Sequence, residues 1–168
     1  MSLGIFIFIT QYSSFAAAAL AKADIRSTGT ELSLTGTIFF TDTSEGLHVM
    51  AELKGLPPGK HGFHIHENAS CADAGKAAGG HYNPAGAPHG LLTKDGLQHA
   101  HAGDFGNVES DKNGNAKLEL TLPGLSIEGG QYNVAGHAVI LHEKEDDFGQ
   151  PTGNAGGRIG CGLIEMSE

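Results

Sequence analysis

The chain has no tryptophan, only two cysteines among 168 residues, and 10 lysines and arginines against 19 aspartates and glutamates. Two cysteines exclude a disulfide-dense scaffold and cannot form a four-ligand structural zinc site by themselves. The formal charge is −9 and no basic cluster occurs. That excludes nucleic acid and anionic membrane surfaces as partners. Long helical periods are also missing, whereas glycine is abundant at 26 residues. Short alternating runs separated by glycine-rich turns read as all-β. The length allows one domain with a real core and is too short for two.

No unbroken apolar stretch is long enough to span a bilayer comfortably. The N-terminus comes nearest, with Leu3–Thr10 (LGIFIFIT) and Phe15–Leu20 (FAAAAL) interrupted by Gln11-Tyr12-Ser13-Ser14. Ala21-Lys22-Ala23 supplies an A-x-A pattern before Asp24, although no Lys or Arg precedes the apolar run. Residues 1–23 therefore read as a secretory signal peptide, with an uncleaved N-terminal anchor as the alternative, and 24–168 as the exported domain, periplasmic or extracellular, with no membrane insertion once the signal is removed. In an oxidising compartment, Cys71 and Cys161 read as one disulfide. Closing so long a loop stabilises by roughly 4–5 kcal/mol in the chain-entropy model.

Alternation begins around Leu32, Leu34, Ile38 and Phe40, with Gly36 expected to mark a bulge or bend. Leu47, Val49, Ala51 and Leu53 alternate cleanly. In Gly62–Glu67 (GFHIHE), Phe63 and Ile65 share one face of a strand while His64 and His66 share the other. From Asn68 to about Asn107 neither period holds, and a loop of that length in a compact domain needs something to fix it. Further strands are expected at Leu118–Leu122, Gly136–His142 and Arg158–Glu165, with an irregular Glu143–Gly157 between the last two. About eight strands with turn signals between them predict an antiparallel Greek-key barrel or sandwich.

His64 and His66, two apart on a strand, can reach one ion. His81, His89, His101 and Asp104 fall in the long irregular segment, and three imidazoles with one carboxylate make a tetrahedral zinc set. Such a site would convert binding energy into loop order. His142 ends an apolar strand and can add a third nitrogen to His64 and His66, a donor set suited to copper.

Six separated motifs share one resemblance: GFHIHE (Gly62–Glu67), GGHYNP (Gly79–Pro84), His101-Ala102-Gly103-Asp104, GNV (Gly106–Val108), HEKEDDFG (His142–Gly149) and GNAGGRIGCG (Gly153–Gly162). In order and content they resemble the signatures of copper–zinc superoxide dismutases of the bacterial, secreted type. The resemblance implies copper on His64, His66, His81 and His142, and zinc on His81, His89, His101 and Asp104, with His81 bridging. It also implies that Asp146 accepts hydrogen bonds from His64 and His89, and that Arg158 guides the superoxide anion. His81 is implied to carry a proton to the departing peroxide. Cys161, three residues after Arg158, would anchor it through Cys71. Relatives occur as monomers and homodimers, so a homodimer is a possible assembly.

Between Asp147 and Gly153 only FGQPT remains, shorter than the charged loop of eukaryotic relatives, so steering residues of that loop are missing. Two other functions stand beside the enzyme: a copper/zinc-binding or copper-delivery protein of the same fold, and an adhesion-type β-sandwich with incidental histidines. His48, His61, His99 and His137 carry no ligand assignment; His61 is expected to bond backbone groups near the copper side.

Overall fold

The outer strands form where small or branched apolar residues alternate with polar ones. In β3 (Gly46–Lys54), Leu47, Val49, Ala51 and Leu53 are buried while Met50, Glu52 and Lys54 face outward. The computed structural model describes residues 19–167. The other strands are β1 (Leu20–Ser27), β2 (Thr35–Thr43), β4 (Gly59–His66), β5 (Asp104–Ser110), β6 (Asn115–Leu122), β7 (Ala138–His142), β8 (Arg158–Leu163) and the short β9 (Glu165–Met166). They run in the order β2-β3-β6-β5-β4-β7-β8-β1-β9, and pairing of β1 with β2 closes eight of them into a barrel. All named pairs are antiparallel. The crossovers β3 to β4 and β6 to β7 make the Greek key.

The barrel interior is filled by fully buried Ile25, Ile38, Phe40, Phe63, Ile65 and Leu141, among others. Phe63 and Phe105 meet edge to face with ring centroids 5.6 Å apart. Each such aliphatic or aromatic side chain contributes about 1.5–3 kcal/mol by leaving water.

Two expectations shift. Gly36 sits in an unbroken ladder opposite both Ile25 and Leu53, so it is not a bulge. Its missing side chain instead makes room for the Glu52 carbonyl and Leu53. β1 is a strand that alternation from Leu32 onward does not reveal, and the boundary expected between Ala23 and Asp24 falls inside it. The leader proposed over 1–23 lies mostly outside the described residues. Among the described residues no helix is long and apolar enough to cross a membrane.

The barrel's register gathers the chemistry. Across β5, β4, β7 and β8, Asp104 lies opposite His64, and Arg158 lies opposite His142. The ladder is irregular at both places, between Gly62 and His64 and between Leu141 and His142. His64 and His66 point away from the core yet are buried, because the long segment after His66 folds over them. That segment contains one short helix, α1 (Leu92–Asp95), and a 3-10 turn at Lys76–Ala78. β5 already begins at Asp104, inside the stretch read as irregular.

Backbone bonds clip the segment to β4. Tyr82 N–H donates to Ile65 O at 2.8 Å, Gly103 N–H to Tyr82 O at 2.9 Å, and Ile65 N–H to Gly103 O at 3.0 Å. Its near end is tied by the Cys71–Cys161 disulfide to β8. Ala78, Ala138, Ile140 and Cys161 form a small apolar cluster beneath that bond.

Candidate metal centre

Six histidines and one aspartate expected as ligands converge outside the barrel, all of them buried. One ligand atom from each of His64, His66, His81 and His142 lies within 4.8 Å of the others, and the same holds for His81, His89, His101 and Asp104. His81 belongs to both sets.

The free lone pairs follow from what the other ring nitrogens do. His66 Nδ1–H donates to Gly79 O at 3.0 Å, and His142 Nδ1–H to Gly156 O at 3.3 Å. Their Nε2 atoms are then unprotonated and face each other at 3.4 Å. His64 donates from Nε2 to Asp146 Oδ2 at 2.7 Å, leaving its buried Nδ1 with no hydrogen-bond partner. An orphaned buried nitrogen beside two other inward lone pairs fits a metal ion better than any internal bond. An imidazole-only donor set suits copper, as the resemblance implies.

The second set repeats this logic. His89 donates from Nε2 to Asp146, with contacts of 3.0 and 3.1 Å. Its Nδ1 lies 2.9 Å from Asp104 Oδ2 and still makes no hydrogen bond, because the angle is wrong. Asp104 Oδ1 is 2.8 Å from His81 Nδ1 and 3.1 Å from His101 Nδ1, and the two nitrogens are 3.4 Å apart. Ligands about 2.0–2.1 Å from a tetrahedral zinc stand about 3.3–3.4 Å from one another, which is the spacing of the two nitrogens, while the carboxylate oxygens stand closer to the imidazoles than that. With Nδ1 of His81 on this side, its Nε2 serves the copper set. These are the two donor sets expected to hold copper and zinc.

Asp146 joins the sites from behind, accepting from His64 and His89 with its one carboxylate. Two residues that carried no sequence signal of their own hold this frame. Asn107 clamps Asp146, donating from Nδ2 to its carbonyl at 2.9 Å and accepting its N–H at 2.8 Å. Gln150 does the same to His89, with bonds of 2.8 and 3.1 Å to its carbonyl and amide. Asn107 stands within the GNV motif, whereas Gln150 lies in the shortened loop and matched nothing. Gly153 adopts φ +77°, and a Cβ there would strike the Asp146 carboxylate, so only glycine lets the loop pass.

Arg158 lies beside the copper set. A cavity of about 220 Å³ is lined by Arg158, His66, His81, His142, Thr152 and Asn154, among others. The guanidinium donates to Gly75 O at 2.6 Å and to Gly79 O at 2.5 Å. The Gly79 carbonyl therefore orients both Arg158 and the copper ligand His66. Both carbonyls belong to the segment that the disulfide anchors.

The other histidines fall elsewhere. His61 is buried, with its ring nitrogens 2.9 Å from His142 O and 2.8 Å from Pro57 O, as expected for a residue supporting the copper side. His137 lies with Nδ1 2.8 Å from Glu67 O and stacks on Tyr82, centroids 4.1 Å apart. His48 pairs with Glu119 at the surface, and His99 is exposed.

Burial pushes the imidazoles of His64, His66 and His142 down to about 4, about 2 and about 3. At neutral pH they are uncharged and offer lone pairs. Burial also opposes charge on His89, but Asp104 and Asp146 outweigh it and raise that group to about 9. Asp104 and Asp146 are held below the usual carboxylate range: burial works the other way, and hydrogen bonds from the surrounding histidines overcome it.

The three depressed histidines bind fewer protons folded than unfolded below their ordinary value near 6.5, so stability falls with pH there. Their contribution is complete above pH 6.5 and is lost as pH drops toward the folded values. His89 acts oppositely, its contribution being lost as pH rises through about 9. The melting temperature of the metal-free protein should therefore drop between pH 7 and pH 5. A constant or rising value in calorimetry contradicts this assignment of neutral imidazoles.

Fold and site together define a β-barrel with two metal-donor sets that share one imidazole. The family description "Copper/zinc superoxide dismutase (SODC)" matches residues 34–164. The extracellular superoxide dismutase [Cu-Zn] of Caenorhabditis elegans is 39% identical over 160 residues, 91% of this chain and 70% of that protein. Superoxide dismutase [Cu-Zn] 2 of Aquifex aeolicus (strain VF5) is 37% identical over 150 residues, 85% of this chain and 86% of that one. The crystal structure of the clock protein EA4 superposes with a TM-score of 0.79 at 36% identity, covering 94% of this chain and all of that one. The chain belongs to the copper/zinc superoxide dismutase family. With both donor sets intact, its reaction is superoxide dismutation: two superoxide anions and two protons give dioxygen and hydrogen peroxide.

Proposed function

We propose that the protein works outside the cytoplasm as a superoxide dismutase in which Arg158 draws in the anion, His81 handles the proton and Asp146 fixes both sites. The observation that carries this reading is the shared imidazole of His81 opening, with Arg158, into one small cavity. Bound copper supplies a one-electron couple that zinc lacks, and zinc supplies loop order and a fixed positive charge beside His81.

The rest falls to the chain. Arg158 presents a planar, permanently charged donor set held by two backbone carbonyls, so an anion meets it without side-chain reorganisation. The overall charge of −9 repels superoxide at long range. Attraction must come from a local field, and a cleft that focuses it raises capture by about 10- to 1000-fold, a general range to which superoxide dismutases themselves belong. His81 turns Nδ1 to the zinc side, so Nε2 is the atom that would hold either copper or a proton, and only when free of copper would it carry a proton to the outgoing peroxide. Asp146 keeps the proton of His64 and of His89 on Nε2, which aims both Nδ1 atoms at the ions.

The Cys71–Cys161 bond supports an oxidising location, as does the leader-like N-terminus. The complete copper set together with Arg158 favours turnover over copper delivery. Arg158→Glu is expected to slow superoxide capture about 10- to 100-fold while copper and zinc contents stay unchanged. Added salt should slow the parent protein and leave the variant unaffected or faster. Equal second-order rates in pulse radiolysis would remove Arg158 from the reaction.

A further inference from the structure

The bond between Ala23 and Asp24, where Ala21-Lys22-Ala23 places a signal-peptide cut, lies in the middle of β1. Residues on its N-terminal side are built into the barrel. Ala21 and Ala23 are 2% and 0% exposed. Leu20 to Ala23 pair with Thr41 to Ile38 of β2, while Ala21 and Lys22 also pair with Met166 and Glu165 of β9. Asp42 N–H donates to Ala19 O at 3.1 Å, and Ser167 N–H to Leu20 O at 2.9 Å. Lys22 Nζ reaches Asp24 at 3.0 Å.

Processing of a leader precedes folding, so access to the bond is not at issue. What matters is the product. A chain beginning at Asp24 keeps only the second half of the strand that closes the barrel between β2 and β8. It strips Ile38 to Thr41 of their β1 partners, opens a strand edge and removes two core residues. β9 loses the strand it pairs with.

A second run of small residues, Ala16-Ala17-Ala18-Ala19, stands just upstream. It supplies small side chains at the two positions a signal peptidase reads, for a cut after either Ala18 or Ala19. Both cuts leave β1 whole, from Leu20 onward.

We infer that the leader is removed at Ala18–Ala19 or Ala19–Leu20, and that Leu20-Ala21-Lys22-Ala23 belongs to the mature enzyme. The inference rests on the export reading above. It also fixes the charge: residues 1–19 contain no Lys, Arg, Asp or Glu, so the mature protein keeps −9, whereas loss of Lys22 gives −10.

The full chain, produced in a secreting host, is to be recovered from the exported fraction for N-terminal sequencing and intact mass. A start at Ala19 or Leu20 is expected. A start at Asp24 overturns the site and leaves export standing. Exported protein that retains Met1 overturns cleavage altogether, and a chain retained in the cytoplasm with Met1 overturns the export reading on which the site rests. As a second measurement, metal-loaded proteins beginning at Ala19 and at Asp24 are to be melted side by side. The shorter should melt at least about 5 °C lower, and equal values overturn the structural argument.

Discussion

His142→Ala should abolish superoxide turnover while leaving zinc in place. His142 ends β7 and gives the copper set its Nε2, 3.4 Å from that of His66. It takes no part in the zinc set. Removing partners behind a ligand costs about 10- to 100-fold in metal affinity, so removing the ligand itself should cost more than about 100-fold for copper. The fold should survive, because the side chain lies outside the barrel core and the β7 backbone pairing does not use it. Chelator competition and metal analysis check this directly. Zinc lost in parallel with copper, or near-normal turnover, would show that the two donor sets are not separable as described.

Asp146→Asn should weaken both metals at once, although the residue touches neither. The carboxylate accepts Nε2–H from His64 and from His89 with no competing donor of its own. An amide of the same shape has one accepting oxygen and one donating nitrogen. With its oxygen in the Oδ2 place the amide still accepts from His64, but its N–H then meets the Nε2–H of His89 and the N–H of Phe148. Flipped, it meets both imidazoles, and a ring that loses its acceptor regains a partner only by moving its proton to Nδ1, the atom that should bind metal. Affinity should fall about 10- to 100-fold at the site whose histidine loses, with a smaller loss at the other. The pattern differs from that of His142→Ala, which strikes copper alone. Unchanged affinities for both ions would mean that Asp146 is a bystander of the buried loop.

These outcomes depend on features of unequal visibility in the sequence. His64 and His66 were legible because a strand repeats every two residues, which puts both on the face opposite Phe63 and Ile65. His81, His89, His101 and Asp104 were legible because a long unpatterned loop needs an agent to order it. The contributions of Asn107 and Gln150 were not, since they act through the backbone of Asp146 and His89, and no spacing rule records such bonds. The Gly79 carbonyl, shared by His66 and Arg158, is hidden for the same reason. β1 escaped because its alanines read as the tail of a leader; only the ladder to β2 reveals them as core. Gly36 was misread because a close approach of two strands and a bulge leave the same mark, a glycine within an alternating run.

The most direct test of the central claim is copper and zinc analysis of the exported protein, paired with a superoxide disproportionation assay on the same preparation. The account predicts near one copper and one zinc per chain together with rapid turnover. A preparation replete in both metals yet unable to disproportionate superoxide would contradict it.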